Sequence, residues 1–371
     1  MTAHAVAAPR PLPRVAPRRR PVVADVAMFY GERSGGIRTY LNEKARFAAS
    51  ASAFEHHVIV PGRVERHDGG RHEVRSLRLA ASNGYRLPLG VGALKETLCS
   101  LRPDFVLLHD PFWGPHGVTQ LAHRLGARVV AVHHASPALN AAAIRGPDRL
   151  YIPLLRRVYR RAYALVDGVM SVVDPERDSG RRATIPLRLG IHHAFRPRPT
   201  VRGEHLLYVG RLSREKRIGD LIDAAAMLDR PRPVVIVGDG PARRALAAHA
   251  GRARVPVSFR AFVSGREDLA RAYREAACVV DPGPHETFGL VVFEAAASGA
   301  RVVACDSTPS AAVADGLIET FAAADTRDLA RAISRALARP GDPATALALA
   351  ERSSWDRVFE AELESLERLR R

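Results

Sequence analysis

Apolar residues in this chain come in short unbroken runs, each separated from the next by a polar turn and a stretch with helical spacing. The run at 22–30, VVADVAMFY, lacks period-two alternation, which marks a strand covered on both faces. Similar runs stand at 56–60, 105–110, 129–132 and 169–173, with helical patterns at 38–50, 91–101, 115–125 and 150–166. The alternation starts again at 205–210 and continues through 233–237, 257–262, 278–281 and 301–304, with helices at 218–228, 268–275 and 290–297. From 325 onward the pattern is helical and charged, with Trp355 as an apolar anchor. Strand and helix in strict alternation predict parallel sheets with helices on both faces, the doubly wound α/β class.

The segment Phe195-Arg196-Pro197-Arg198-Pro199 breaks this rhythm and reads as a linker. It divides the chain into a first α/β domain at 21–195 and a second at 196–350, with a last helical piece at 351–371. A length of 371 residues suits two cores. The two halves share an architecture and no sequence repeat. No apolar run approaches the roughly 20 residues that cross a bilayer. Cys99, Cys278 and Cys305 lie far apart without metal-type spacing, which points to a reducing, cytoplasmic compartment and no disulfide framework.

The net charge of +17 asks for an acidic partner: nucleic acid, anionic lipid or a phosphorylated substrate. Part of the excess is a tail at 1–20 that carries Arg10, Arg14, Arg18, Arg19 and Arg20 among Pro and Ala and reads as disordered. No apolar segment follows these arginines, so the tail is not an export signal. The helix at 150–166 places Leu154, Leu155, Val158, Ala162 and Leu165 at helical spacing, with Arg156, Arg157, Arg160 and Arg161 between them and Tyr151, Tyr159 and Tyr163 alongside. Such a helix either lies on the inner face of an anionic membrane or packs on the protein with a solvated arginine face. A nucleic-acid-binding protein without catalysis would need basic residues and exposed aromatics in a recognisable module, and none is present.

Candidate chemistry gathers where strands end, the place at which open α/β sheets bind ligands. His109, Asp110, His133 and His134 follow two first-half strands, as sugar or acceptor contacts or simply as strand caps. Gly35 and Gly36 sit between the first strand and its helix, where a ligand can approach backbone closely; the G-x-G-x-x-G dinucleotide fingerprint is absent. In the second half, Gly210 opens a loop with Arg211 and Lys216, a fork and a compact charge suited to a diphosphate. Gly238-Asp239-Gly240-Pro241 is a turn after the next strand. Then comes DPGPHETFGLVVFEAAASG at 281–299, a loop entering a helix, with seven residues between Glu286 and Glu294. Spacing alone fits a helix-start acid at Glu286 with a solvated surface glutamate at Glu294 as well as it fits two carboxylates that accept sugar hydroxyls.

The full wording of that stretch resembles the E-x7-E segment of retaining glycosyltransferases with the GT-B fold, glycosyltransferase family 4 in particular. SGGIRTYL at 34–41 is similar to the family's S-G-G-I/V-x-x-Y/F-L/V loop, and GRLSREKR at 210–217 to its pyrophosphate-binding G-R-L-x-x-x-K-R segment. The resemblance implies two Rossmann-like domains facing a cleft, with the last helix crossing back onto the first. It implies Arg211, Lys216, Glu286 and His134 as catalytic residues, His134 matching the strand-end histidine better than His133. Donor binding falls to Gly35, Gly36, Gly210, Gly238, Asp239, Gly240, Thr287, Phe288, Gly289, Leu290 and Glu294. The family's hinge normally carries Asp where this chain has His192. The implied activity moves a hexose from a nucleotide-diphosphate sugar to a hydroxyl of a glycan, lipid or glycoconjugate. GDP-mannose is favoured over the UDP-linked glucose, galactose and N-acetylglucosamine donors, because these segments are similar to those of bacterial mannosyltransferases. No cofactor is expected, and no D-x-D metal motif is present. A phosphorylase would need a cofactor lysine site, which is not found.

Overall fold

A computed structural model describes residues 19–28, 30, 35–78, 86–88, 90–109, 114–134, 148–172, 182–261, 263, 265–314 and 316–370. Asp110 and most of the basic tail lie outside the described residues. The first half contributes β1 (Val22–Ala27), β2 (Glu55–Gly62), β3 (Arg66–Asp68), β4 (Arg71–Arg75), β5 (Leu77–Arg78), β6 (Arg86–Leu87), β7 (Phe105–His109), β8 (Arg128–His133), β9 (Gly168–Ser171) and β10 (Ala183–Pro186). Eight of these form one sheet in the order β10-β9-β8-β7-β1-β2-β4-β3, while β5 and β6 pair separately. Within that sheet only the β3–β4 edge is antiparallel.

The second half contributes β11 (Leu206–Val209), β12 (Val234–Val237), β13 (Val257–Arg260), β14 (Cys278–Asp281), β15 (Val302–Cys305) and β16 (Ile318–Phe321). They form an all-parallel sheet ordered β13-β12-β11-β14-β15-β16. The central strands of both sheets are buried on both faces. Along β11, Leu206 and Tyr208 join one apolar cluster while Leu207 joins another across the sheet. Along β1, Val23 and Ala27 face one cluster, and Ala24 and Val26 the other. The strand order reverses between β1 and β7 in the first sheet, and between β11 and β14 in the second. Each reversal leaves a crevice at the C-terminal strand ends.

Several elements escaped the hydrophobic pattern. β4 reads RHEVR with one apolar residue, and β10 ends on Pro186; both lie at or beside an edge, where polar residues and proline are tolerated. β16, IETF, is likewise an edge strand. The helix Arg243–Ala253 buries only Leu246 and Ala250, so its apolar stripe is too thin to read.

The chain crosses between halves twice. Ile191 leads into the second half, and its N–H donates to the Ser353 carbonyl at 2.7 Å as the chain returns. Ile191 and Ser354 form a parallel bridge. The helix Pro343–Arg352 packs on the second-half helix Leu290–Ala297, while the last helix, Trp355–Arg370, packs on the first-half helix Gly36–Ala51. There Tyr40 meets the rings of Trp355 and Phe359 at 6.2 and 5.4 Å. Gly190 allows this approach, since a Cβ on it would lie 2.4 Å from the Trp355 ring.

Beneath the aromatic contact sits a buried ionic cluster. Lys44 Nζ lies 2.9 Å from Asp25 Oδ2 and 2.7 Å from Glu362 Oε1, and all three residues are buried. Burial alone would neutralise each group; together the charges hold one another. Lys44→Met would leave two buried carboxylates without their cation. The expected loss is about 3–5 kcal/mol of unfolding free energy, read from urea denaturation. A loss within experimental error of zero would show that the cluster does not constrain the fold.

Candidate active site

The second-sheet crevice is built by two loops. After β11 the chain turns through Gly210, leaves Arg211 exposed, and forms a single 3-10 turn at Arg214–Lys216 that carries Lys216 back towards β14. Lys216 Nζ makes a close ion pair with Glu286 Oε1. Asp281, the last residue of β14, is buried beside them, and its Oδ1 accepts from the Gly283 N–H at 3.4 Å. Burial, then the negative charge of Glu286, pushes the Asp281 carboxyl up to about 8. Burial pulls the Lys216 ammonium down, but the charges of Glu286 and Asp281 more than reverse this and leave it above its ordinary value. A fixed cation therefore stands at the switch point.

The glycines around it have separate reasons. Gly238 takes φ +139°, and a Cβ there would lie 2.0 Å from the Gly210 carbonyl oxygen. At Gly240 a Cβ would lie 2.3 Å from the Leu212 oxygen. These two turns are thus pressed together backbone to backbone, and the protein's own packing demands glycine. Asp239 accepts from the Gly240 N–H at 2.8 Å, which stiffens the same turn.

Gly289, at φ +84°, starts the helix Leu290–Ala297. A Cβ on it would lie 2.5 Å from Thr308 Cγ2, and its carbonyl accepts from the Ser310 hydroxyl at 3.0 Å. Phe288 packs edge-on against Phe293, with Thr287 half-buried before it. The unsatisfied amides of this helix start suit an anion. Glu294 lies farther along and is buried, so the solvated surface reading fails. Its Oε2 receives the Tyr273 hydroxyl at 3.5 Å. Burial pushes its carboxyl up to about 8, against the opposing charge of Arg266.

At the first-sheet crevice, His109 ends β7 with no exposed surface. Its Nε2 is 2.6 Å from Asp25 Oδ1, and its Nδ1 is 2.6 Å from His134 Nε2. The two imidazoles are nearly parallel, at 14°. His133 turns away and pairs closely with the Tyr163 hydroxyl, beside the Tyr159 ring at 5.0 Å. Asp25 was not singled out by the sequence reading, although a lone carboxylate inside VVADVA is a usable signal, since a charge buried on a two-faced strand needs partners. Gly35 and Gly36 cap the helix Gly36–Ala51, and a Cβ on either would meet nothing within 4 Å. Among the described residues, none packs against that surface.

Among the described residues an ion pair spans the halves: Arg266 of the helix Arg266–Glu275 meets Glu43 of the helix Gly36–Ala51 at 2.5 Å. His192, just before the linker, has its imidazole lowered to about 4 by burial and by the charge of Arg266. Among the described residues, no group of three or more His, Cys, Asp or Glu is placed to hold a metal ion.

The Glu294 shift gives a sign that can be checked. A carboxyl raised from 4.5 to about 8 binds its proton more tightly in the folded state. Folded stability then falls as pH rises from about 4.5 towards 8. Glu294→Gln removes that fall. The variant should match the parent near about pH 5 and exceed it near about pH 8 by on the order of 1–3 kcal/mol in denaturant titrations. An advantage that shrinks with rising pH would contradict the assignment.

Residues 34–189 match the family description Glycosyltransferase Family 4, and residues 203–339 match Glycosyl transferases group 1. A GDP-mannose-dependent alpha-(1-6)-phosphatidylinositol dimannoside mannosyltransferase of Mycobacterium tuberculosis is 33% identical over 354 residues, which cover 86% of this chain and 88% of that protein. A D-inositol 3-phosphate glycosyltransferase of Saccharomonospora viridis is 30% identical over 338 residues, covering 75% and 76%. Among solved structures, the sucrose-phosphate synthase of Thermosynechococcus elongatus superimposes with a TM-score of 0.71 at 19% identity, over 94% of this chain and 97% of that one. A glycosyltransferase from Rickettsia africae gives 0.70 at 14% identity, over 95% and 99%. The chain belongs to glycosyltransferase family 4 and carries the family's GT-B fold of two parallel-sheet α/β domains.

Proposed function

We propose that this glycosyltransferase moves mannose from GDP-mannose to a hydroxyl of a lipid-linked or glycan acceptor, with retention at the anomeric carbon. The observation that carries the reading is the Lys216–Glu286–Asp281 cluster at the β11/β14 switch point. The donor's diphosphate takes up charge as the bond from its oxygen to the anomeric carbon breaks. Arg211 and Lys216 meet that charge where it develops, with the amides at the start of the helix Leu290–Ala297 adding partial positive charge. Lys216 exchanges Glu286 for phosphate, and Glu286 is released to orient the sugar. Glu294 accepts the ribose hydroxyls. The acceptor oxygen bonds to the anomeric carbon, and its proton passes to the departing phosphate oxygen. Side chains and helix ends supply the positive charge, so no metal is required. The mannose donor is supported by the mycobacterial relative, whose name specifies GDP-mannose.

The tests are kinetic. Arg211→Ala and Lys216→Ala should each lower kcat/KM by at least about 100-fold without moving the unfolding midpoint. Transfer should persist in EDTA and leave the anomeric configuration unchanged by NMR. Among GDP-mannose, UDP-glucose, UDP-galactose and UDP-N-acetylglucosamine at equal concentration, GDP-mannose should be turned over fastest. Preference for a UDP-sugar overturns the donor, and near-parental transfer by the double variant overturns the diphosphate clamp.

A lipid-linked acceptor is favoured by the helix Asp148–Tyr163. Its outer face exposes Leu154 at 56% and Val158 at 37%, one turn apart, among exposed Arg156, Arg157, Arg160 and Arg161. Tyr159, Ala162 and Tyr163 are buried on the other side. Apolar residues ringed by arginine suit an anionic bilayer surface. No helix among the described residues is long and apolar enough to cross a membrane. Co-sedimentation with liposomes should rise with anionic lipid and fall with salt. Absence of binding at low ionic strength would favour an acceptor in solution.

A further inference from the structure

The helix Arg266–Glu275 touches every part that meets at the domain junction. At its first residue, Arg266 pairs with Glu43 of the first half at 2.5 Å, and Glu43 is buried. Along its length lies the linker: Glu267 meets Arg198 at 3.4 Å, and Arg274 donates to the Arg196 carbonyl at 3.3 Å. The Phe195 ring stands 5.9 Å from that of Tyr273. Seven residues make nearly two full turns, so Tyr273 shares the face of Arg266 about 10 Å farther along the axis. There the Tyr273 side chain is fully buried, and its hydroxyl donates to Glu294 Oε2 at 3.5 Å. The other carboxylate oxygen, Oε1, receives no hydrogen bond among the described residues, and it is not one of the polar atoms sealed from solvent without a partner. One oxygen of Glu294 is held by the protein and one is left for a ligand.

We propose that Tyr273 is a positioning residue for donor binding: its hydroxyl holds Oε2 of Glu294 and leaves Oε1 to the ribose, while the Glu43–Arg266 pair holds the helix that carries it. The inference rests on the reading above that Glu294 accepts the ribose hydroxyls, and adds what fixes that carboxylate in place. The last torsion of a glutamate is soft. A hydrogen bond on one oxygen removes that freedom before the ligand arrives, so less is lost on binding. Glu43 belongs to the domain across the cleft, so donor affinity depends on where that domain stands. Charge alone would act in the other direction. Glu43 pushes the Glu294 carboxyl up, so taking Glu43 away would ease ionisation and favour the hydroxyls that donate to it. Replacing Glu43 therefore separates a mechanical role from an electrostatic one.

Variants of the full-length enzyme test this by calorimetry with GDP and with 2′,3′-dideoxy-GDP, which lacks the ribose hydroxyls. The parent should bind GDP more tightly than the dideoxy nucleotide. Tyr273→Phe should weaken GDP binding by about 3- to 10-fold, the range of one hydrogen bond, and leave dideoxy-GDP binding unchanged. Glu43→Leu should weaken GDP binding by about 5-fold or more. The double variant should bind GDP no more weakly than the weaker single, because both changes act on one carboxylate. In transfer assays KM for the donor should rise while kcat changes less. Packing alone would move the unfolding midpoint and leave the preference for GDP over dideoxy-GDP intact. Where Glu43→Leu lowers the midpoint, Glu43→Gln takes its place. Parental preference for GDP in Tyr273→Phe overturns the inference, as does GDP binding at or above the parental affinity in the variant at Glu43. A parent that binds both nucleotides alike overturns the ribose reading of Glu294, and this inference with it. Should the enzyme prefer a UDP-sugar, the donor reading fails, and UDP with its dideoxy analogue decides this one.

Discussion

The fold depends on one ammonium group that has no business in an apolar interior. Lys44 lies on the helix Gly36–Ala51, its carboxylate partners on β1 and on the last helix, Trp355–Arg370. A charge taken out of water is tolerable only where opposite charge is fixed beside it. Two consecutive elements near the start of the chain and the last helix are therefore locked in one arrangement, and a shift of any one strands a charge. The same carboxylate that steadies Lys44 reaches His109, so the constraint that docks the last helix also orients the crevice end of β7. Stability and site geometry are one network in the first domain.

In the second domain the constraint runs the other way. Asp281 and Glu294 are buried with their carboxyls pushed up to about 8, which is a standing loss of stability at neutral pH. A structure selected for stability alone would hold apolar residues there. Both carboxyls sit at the β11/β14 switch point or on the helix that leaves it, beside a lysine already held as a cation. Local destabilisation concentrated where a ligand is expected is the usual trade between a rigid core and a prepared site. Glu286 pairs with the Lys216 ammonium, so the two charges offset one another at this switch point.

Most of the architecture was legible because parallel strands buried on both faces leave unbroken apolar runs, and both sheets consist mainly of such strands. What stayed hidden lies at the edges. β3 and β4 are polar because solvent reaches them, and Arg243–Ala253 buries too few residues to carry a stripe. The site was legible only in part. Strand ends marked His109, His133, His134, Arg211 and Lys216, yet pattern could not tell that His133 turns to Tyr163 while His134 stacks on His109. Gly238 and Gly240 stood out as ligand glycines, although contacts with Gly210 and Leu212 already require them. Glu294 was open between surface and site until its burial was known. Asp25 was masked by its surroundings, since an acid inside an apolar run acquires meaning only from partners distant in sequence.

The two domains are joined by few connections, and their placement limits how they can move. Both chain crossings run side by side, with Ile191 bonded to Ser353 and bridged to Ser354, so the hinge is a two-stranded ribbon rather than a single flexible strand. A ribbon bends more readily across its width than it shears along its length, because shear breaks its hydrogen bonds. Away from the ribbon, the pair between Arg266 and the buried Glu43 ties the helix that begins the β13–β14 connection to the helix that begins after β1. Any rotation that parts these helices must leave Glu43 without its interdomain partner. Arg266 also lies near enough to Glu294 to oppose the upward push of burial on that carboxyl. Glu43 acts on Glu294 in the opposite sense, its negative charge adding to the upward push, so a rotation that withdraws Glu43 with the first domain makes the ionised form of Glu294 easier to hold. Domain position and the protonation of Glu294 are in this way linked through Glu43, and neither can change without a free-energy consequence for the other.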